Sequence, residues 1–346
     1  MKRMRDYGVI IGDAPCGPTN TITDVAGVTV GHVTLSNGPV QTGVTAILPH
    51  AGNLYQNKVA AGCHVVNGYG KSIGLMQIDE VGTIETPLVL TNTLCVGRAY
   101  TAVVRHMLDA NPDIGALTGT VNPIILECND GVGLNDVRGL HVEEAHVLEA
   151  IGAARADFAE GSIGAGTGMR CYGLRSGIGS ASRMVGDYTV GALTLGNMGR
   201  RKDFRLDGKP VGRAIAARHK ADMDTSDKGS IIVVLATDAP LSDRQLRRLA
   251  VRGGAGIARS GTQFGSGSGD IIVAFSSTQT IPHYAPDTGP EVMFKGFAEP
   301  AIDPFFAAAI EATEEAILNA LIAAVPGVGY GGRRLRALSE FQDLWV

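Results

Sequence analysis

The chain has 346 residues, of which 45% are hydrophobic, only 18% are charged and 47 are glycine, with a formal net charge of −4. Ordinary domains carry roughly a quarter charged residues and about half this share of glycine. The composition excludes a disordered chain, which needs few apolar residues and high net charge. It also excludes a long helical bundle, in which each interior glycine costs about 1 kcal/mol.

The amino-terminal Met1-Lys-Arg-Met-Arg-Asp carries charge, but no apolar stretch follows, so no secretory signal is expected. Residues 21 to 48 alternate Val, Ile and Leu with Thr, Gly and His, the period-2 pattern of strands. Helical spacing predicts helices near 96–110, 140–155, 243–258 and 303–324. The third has Ser242 as its N-cap ahead of Asp243, and the fourth opens with Asp303-Pro304. Phe305 to Val325 is broken by Glu311, Glu314 and Glu315, which predicts an amphipathic helix rather than a membrane span. Residues 161 to 199 are the glycine-densest stretch; no Gly-Lys-Ser/Thr follows, so they read as turns and hairpins rather than a phosphate loop. Ile231–Ala236 and Ile271–Phe275 are short apolar runs of the kind buried on both faces of a sheet. Two sheets with covering helices would bury them, which predicts an α+β layered sandwich. No Pro/Ser-rich or charged linker divides the chain.

The five cysteines, Cys16, Cys63, Cys95, Cys128 and Cys171, are odd in number and lack CxxC spacing, which argues against a disulfide framework and a zinc site. A cytoplasmic protein with reduced thiols is the expectation. The longest Lys/Arg run, Arg200-Arg201-Lys202, is too short for a nucleic-acid surface. Eight histidines form no HExxH, and no GxSxG elbow occurs. Ser230, between Gly229 and an apolar run, has two readings. One is a plain Gly-Ser turn entering a strand. The other is chain cleavage after Gly229, which would give Ser230 both a hydroxyl and an α-amine of reference pKa near 7.7–8.0, nucleophile and base in one residue.

The segment Lys228-Gly-Ser-Ile-Ile-Val-Val-Leu-Ala-Thr-Asp-Ala-Pro240 resembles the self-cleavage site of the DmpA-type N-terminal-nucleophile aminopeptidases. That family includes L-aminopeptidase/D-amidase-esterases and β-peptidyl aminopeptidases. Asn20-Thr-Ile-Thr-Asp-Val-Ala-Gly-Val-Thr-Val-Gly-His32, Glu127-Cys-Asn-Asp-Gly-Val-Gly-Leu-Asn135, Gly161 to Gly168, Leu195-Gly-Asn-Met-Gly199 and Gly265 to Phe275 extend the likeness along nearly the whole chain.

The resemblance implies an αββα four-layer sandwich of the DmpA/ornithine acetyltransferase type. It implies a single domain, 1–346, that cleaves itself between Gly229 and Ser230 into an α chain, 1–229, and a β chain, 230–346. Ser230 would be the nucleophile. Ser268 and Asp270 match the family's Ser-x-acid pair beside the new amine, with Asp here where some relatives carry Glu. Their i, i+2 spacing lets both face the nucleophile from an extended segment. Asn197 matches the oxyanion donor, and Glu127 the carboxylate that receives the substrate's ammonium. Asn129 would shape the substrate pocket, while Cys128 lacks a basic partner and is not expected to be a nucleophile. The implied activity is removal of N-terminal residues from small peptides, amides or esters through an acyl-enzyme, without cofactor or metal, by a homotetramer of αβ units that binds neither nucleic acid nor membrane. Alternatives are an ornithine acetyltransferase-like acyl transferase, whose group uses threonine, and a non-catalytic scaffold protein.

Overall fold

The computed structural model describes residues 2–131, 133–219, 229–285 and 289–345. Met1, Val132 and Lys228, which enter the motifs above, lie outside them. In chain order the elements begin with the hairpin β1 (Thr29–Asn37) and β2 (Val40–Leu48). Next come β3 (Asn57–Gly68), α1 (Leu75–Val81), β4 (Thr83–Ile84), β5 (Leu88–Asn92), α2 (Val96–Ala110), β6 (Ile124–Cys128) and α3 (Glu144–Gly152). The glycine-dense stretch supplies a tight turn at Gly164–Gly166 and two hairpins, β7 (Arg170–Cys171) with β8 (Leu174–Arg175), and β9 (Ile178–Val185) with β10 (Tyr188–Asn197). Then follow α4 (Val211–Arg218), β11 (Ser230–Thr237), α5 (Asp243–Arg259), β12 (Gly269–Pro282), α6 (Asp303–Ala323) and a last small hairpin, β13 (Gly327–Val328) with β14 (Arg334–Leu335).

The strands form a four-stranded sheet, β1-β2-β5-β6, and a six-stranded sheet, β4-β3-β12-β11-β10-β9. Three apolar cores define the layers. One lies between the sheets and joins Val30, Ile47, Leu90 and Leu126 to Leu195, Ile232, Val234 and Val273. Another packs the outer face of the large sheet, through Ile231, Val233 and Ile272, on Leu246 and Leu249 of α5 and Leu318 of α6. The third packs the small sheet on α2 and α3. The order is helix, sheet, sheet, helix, as the resemblance implies. The runs Ile231–Ala236 and Ile271–Phe275 are buried on both faces because one face of each strand meets the other sheet and the opposite face meets helices.

Ser242 caps α5 by accepting the Gln245 N–H at 3.3 Å, and Gln245 answers by accepting the Ser242 N–H. Three expectations need correction. Residues 22–24 form a 3-10 turn rather than strand, because Asp24 accepts from Thr19 N, Thr21 N and the Ser182 hydroxyl. The helix expected over 140–155 is only α3. Arg98 holds the Leu140 and Val142 carbonyls ahead of it, and Arg155 leaves to bridge Val30. Most importantly, α6 is not amphipathic. Nearly every residue from Phe305 to Ala323 is buried, and Glu311 and Glu315 are neutralised by Arg183 and Arg5. No described helix is long and apolar enough to cross a membrane.

Candidate active site

Four strand ends of the large sheet meet at one point. Antiparallel pairing sets Asn197, the last residue of β10, beside Ser230, the first of β11. Parallel pairing sets Ile231 against Asp270, and β3 ends with Gly68 opposite Gly269. Alternation along the strands then decides which way the side chains point. Ile232 and Val234 face the inter-sheet core, as do Leu193 and Leu195, so Ser230 and Asn197 project side by side toward the small sheet. Ser230 is 6% exposed and Asn197 7%. Ser230 Oγ accepts the Gly269 N–H at 3.2 Å. Among the described residues the Asn197 side-chain amide has no hydrogen-bond partner, so its donors remain available to a ligand.

Ser268 and Asp270 do face the same way, and the Ser268 hydroxyl donates to Asp270 Oδ1 at 2.6 Å. Both are buried. The structure departs from expectation in where this pair meets Ser230. Asp270 shares its face of β12 with Ile272, which packs on the helices, whereas the Ser230 hydroxyl lies on the inter-sheet face. The two faces communicate through the sheet plane, where the Gly269 N–H and the Ser230 backbone nitrogen lie.

Glycine is required on sterics at two positions here. A Cβ at Gly229 would stand 1.7 Å from the Asn197 carbonyl oxygen, and one at Gly269 would stand 2.8 Å from the Tyr69 oxygen. Both contacts are with backbone, which cannot swing aside.

The small sheet brings the carboxylate. Glu127 is the penultimate residue of β6, beside Thr91 in the parallel pair with β5. It is 3% exposed. Its Oε1 accepts the Lys71 N–H at 2.8 Å, and its Oε2 accepts the Thr93 hydroxyl. Thr93 is held in a 3-10 turn that Asn92 caps through the Leu94 and Cys95 N–H groups. Among the described residues no cation pairs with Glu127. A methyl group at Gly70 would touch both Glu127 Oε1, at 3.2 Å, and Gly269 Cα, at 3.9 Å, so the carboxylate and the nucleophile's neighbour flank one small space. Asn129 does not reach into that space through its oxygen: Oδ1 accepts the Gly131 N–H at 2.8 Å and closes its own turn. Cys128 donates to the Leu195 carbonyl at 3.3 Å, and burial pushes its thiol well above the ordinary range, which disfavours the reactive thiolate. Asp130 is pushed up to about 6, mainly by burial.

Sequence reasoning missed the backbone donors of Gly269 and Lys71 as well as Thr93 and Asn67. A backbone N–H has no residue-type signature, and neither Thr93 nor Asn67 falls within a motif; only the fold brings them to the site.

Residues 20–335 match peptidase family S58. The beta-peptidyl aminopeptidase BapA of Sphingosinicella microcystinivorans is 39% identical, covering 97% of this chain and 89% of its own. The Burkholderia sp. beta-aminopeptidase structure superposes with a TM-score of 0.91 at 39% identity, covering 99% of this chain and 98% of its own. The L-aminopeptidase D-Ala-esterase/amidase of Ochrobactrum anthropi, described as a variant of the Ntn hydrolase fold, gives 0.90 at 37%, covering 99% and 97%. A protein of Pyrococcus horikoshii OT3 gives 0.93 at 47%, covering 99% and 98%. The family match, the identity to these relatives and the shared fold identify the chain as a member of peptidase family S58, a peptidase of the DmpA/BapA type on an N-terminal-nucleophile hydrolase fold.

Proposed function

We propose that this peptidase is a self-processing serine aminopeptidase that releases N-terminal residues from small peptides, amino-acid amides or esters. The observation that carries the reading is the Ser230 hydroxyl beside Asn197 and the Gly269 N–H, with Gly269 and the buried Glu127 carboxylate flanking one small space at Gly70 and no cation pairing with Glu127 among the described residues.

Maturation comes first. Ser230 Oγ attacks the Gly229 carbonyl carbon, the peptide C–N bond breaks, and the Ser230 nitrogen takes the proton. Water then cleaves the resulting ester, leaving a carboxylate on Gly229 and a free α-amine on Ser230. The lack of room for a side chain at Gly229 supports this division into 1–229 and 230–346 within one domain. In turnover the α-amine accepts the hydroxyl proton as Oγ attacks the substrate carbonyl. Asn197 and the Gly269 N–H stabilise the oxyanion; donors so placed are worth 10²–10³ in rate on the order of magnitude. The C–N or C–O bond breaks, the proton passes to the leaving group, and water hydrolyses the ester to regenerate Ser230. Ser268 and Asp270 reach the α-amine from the helix side of the sheet and orient it. Glu127 receives the substrate ammonium, which restricts cleavage to the first residue, and Asn129 shapes the entrance by fixing its turn. The family match favours hydrolysis over acetyl transfer. A homotetramer of αβ units belongs to the same reading.

Denaturing electrophoresis with amino-terminal sequencing tests it. Two fragments of about two-to-one length, 229 and 117 residues, are expected, the smaller beginning Ser-Ile-Ile-Val. Ser230→Ala is expected to abolish both cleavage and turnover of alanine and β-alanine p-nitroanilides. An intact chain with no aminopeptidase activity would overturn the proposal.

A further inference from the structure

The turn that carries Ser268 and Gly269 is not held by its own sequence. Its internal backbone bond runs from the Ser268 N–H to the Gly265 carbonyl at 2.8 Å. Besides the Ser268–Asp270 side-chain bond and the Gly269 N–H to Ser230, the end of β3 ties it at the two carbonyls. Asn67 pairs with Asp270, but Val65 pairs with Ile271, so Val66 is an extra residue and β3 carries a bulge at this point. A bulge re-aims the neighbouring side chain. The Asn67 amide nitrogen thereby donates both to the Gly265 carbonyl, at 2.9 Å, and to the Ser268 carbonyl. The Tyr69 N–H adds a second bond to the Ser268 carbonyl at 3.2 Å.

The same segment then leaves the large sheet for the small one. Lys71 donates its N–H to Glu127, and Ile73 bridges Ile125 of β6 through bonds of 2.8 and 3.1 Å. Residues 67–73 are thus a strap across the strand ends, with Asn67 at the nucleophile end and Lys71 at the carboxylate end. The peptide group whose carbonyl Asn67 grips is the Ser268–Gly269 peptide. Its other face is the Gly269 N–H that points at Ser230 Oγ. A peptide is planar, so fixing the carbonyl direction fixes the N–H direction.

We infer that Asn67 is a positioning residue: its amide sets the angle of the Ser268–Gly269 peptide, and through it the Gly269 N–H at the reacting centre. The inference rests on Ser230 being the nucleophile. It assigns Asn67 to the chemical step and leaves recognition of the substrate ammonium to Glu127, whose contacts Asn67 does not touch. Misplacement of a reacting group by about 1 Å costs about 10²-fold in rate.

Asn67→Leu keeps the approximate size and removes the donor, while Asn67→Gln keeps the amide. Both are compared with the unaltered protein and Ser230→Ala, using the p-nitroanilide panel, with rates normalised to the cleaved fraction and melting temperatures recorded. Asn67→Leu is expected to lower kcat by about 10–100-fold with KM within about twofold, and to slow self-cleavage. Asn67→Gln is expected to recover much of the kcat. Unchanged kcat in Asn67→Leu, a rise in KM alone, or equal loss in the leucine and glutamine variants would each overturn the assignment while leaving Ser230 standing. Retained turnover in Ser230→Ala would instead remove the reading on which it rests.

Discussion

Two buried acidic regions of this molecule handle the same problem in opposite ways. Under α6, Glu315 accepts from Arg183, Arg5 and Asn20, and Glu311 accepts from Arg183 and the Asp13 and Ala14 N–H groups. Nearby, Arg3 pairs with Glu160 at 3.2 Å and also grips the Asn20 and Ser180 carbonyls. Every carboxylate there has a cation supplied by the protein. Between the sheets, Glu127 is equally buried yet, among the described residues, has only a hydroxyl and a backbone N–H. A buried carboxylate is costly unless paired with opposite charge. At Glu311 and Glu315 the first region satisfies that requirement internally, while at Glu160 burial outweighs the cation. Under the proposed function, the second leaves the positive charge to be brought by the substrate's amino terminus.

This contrast can be broken by experiment. The largest effect is expected from Arg183→Leu, which strips the cation from Glu311 and from one side of Glu315. Removing one partner of a buried pair costs about 3–5 kcal/mol. A lowered urea midpoint is expected, with kcat per folded molecule unchanged. A stability loss below about 1 kcal/mol would show that the cluster is not the structural counterpart argued here.

Glu127→Gln should do the reverse. Stability should hold or rise, because a neutral amide is easier to bury. KM for substrates with a free ammonium should rise by about 10²–10³-fold, equivalent to about 3–4 kcal/mol of lost charge pairing. Substrates with an acylated amino terminus should gain relative to free ones. An unaltered KM would remove Glu127 from ammonium recognition.

The third test sharpens the structural side through pH. Burial outweighs Arg3 and raises the Glu160 carboxyl from 4.5 to about 7. A carboxyl with a raised folded pKa binds its proton more tightly when folded. Its contribution to stability is therefore full below about pH 4.5 and is lost as pH rises through 7. The difference amounts to something on the order of 3 kcal/mol. Thermal unfolding of Glu160→Gln should gain on the unaltered protein between pH 5 and 8. Parallel curves for the two proteins would contradict the assignment.

Much of the fold was legible because its signals are local. Asp303-Pro304, Ser242 with Gln245, and the runs after Ser230 and Asp270 each mark an element from within a few residues. The burial of α6 was not legible. Three glutamates in an apolar run look like a wet face, and the arginines that neutralise two of them, Arg5 and Arg183, lie more than a hundred residues away. The same holds for α3, whose start is cut back by Arg98 on another helix.

The site divides along the same line. The residues alone left Ser230 with two readings, and the resemblance supplied the choice between them together with Ser268 and Asp270; the hydrogen bond between the last two came from the structure. Family resemblance added Asn197, Glu127 and Asn129. Which face of the sheet each side chain takes, and which neighbours it meets there, were decided by tertiary structure. Strand pairing sets Asn197 beside Ser230 across 33 positions of chain, and a bulge at Val66 turns Asn67 toward the Ser268 carbonyl. Local propensity acts over a few residues, whereas register, burial and charge pairing are properties of segments brought together only when the whole chain has folded. The sequence determined which reactive groups the chain carries; strand register and the packing of two sheets decided which of them stand together.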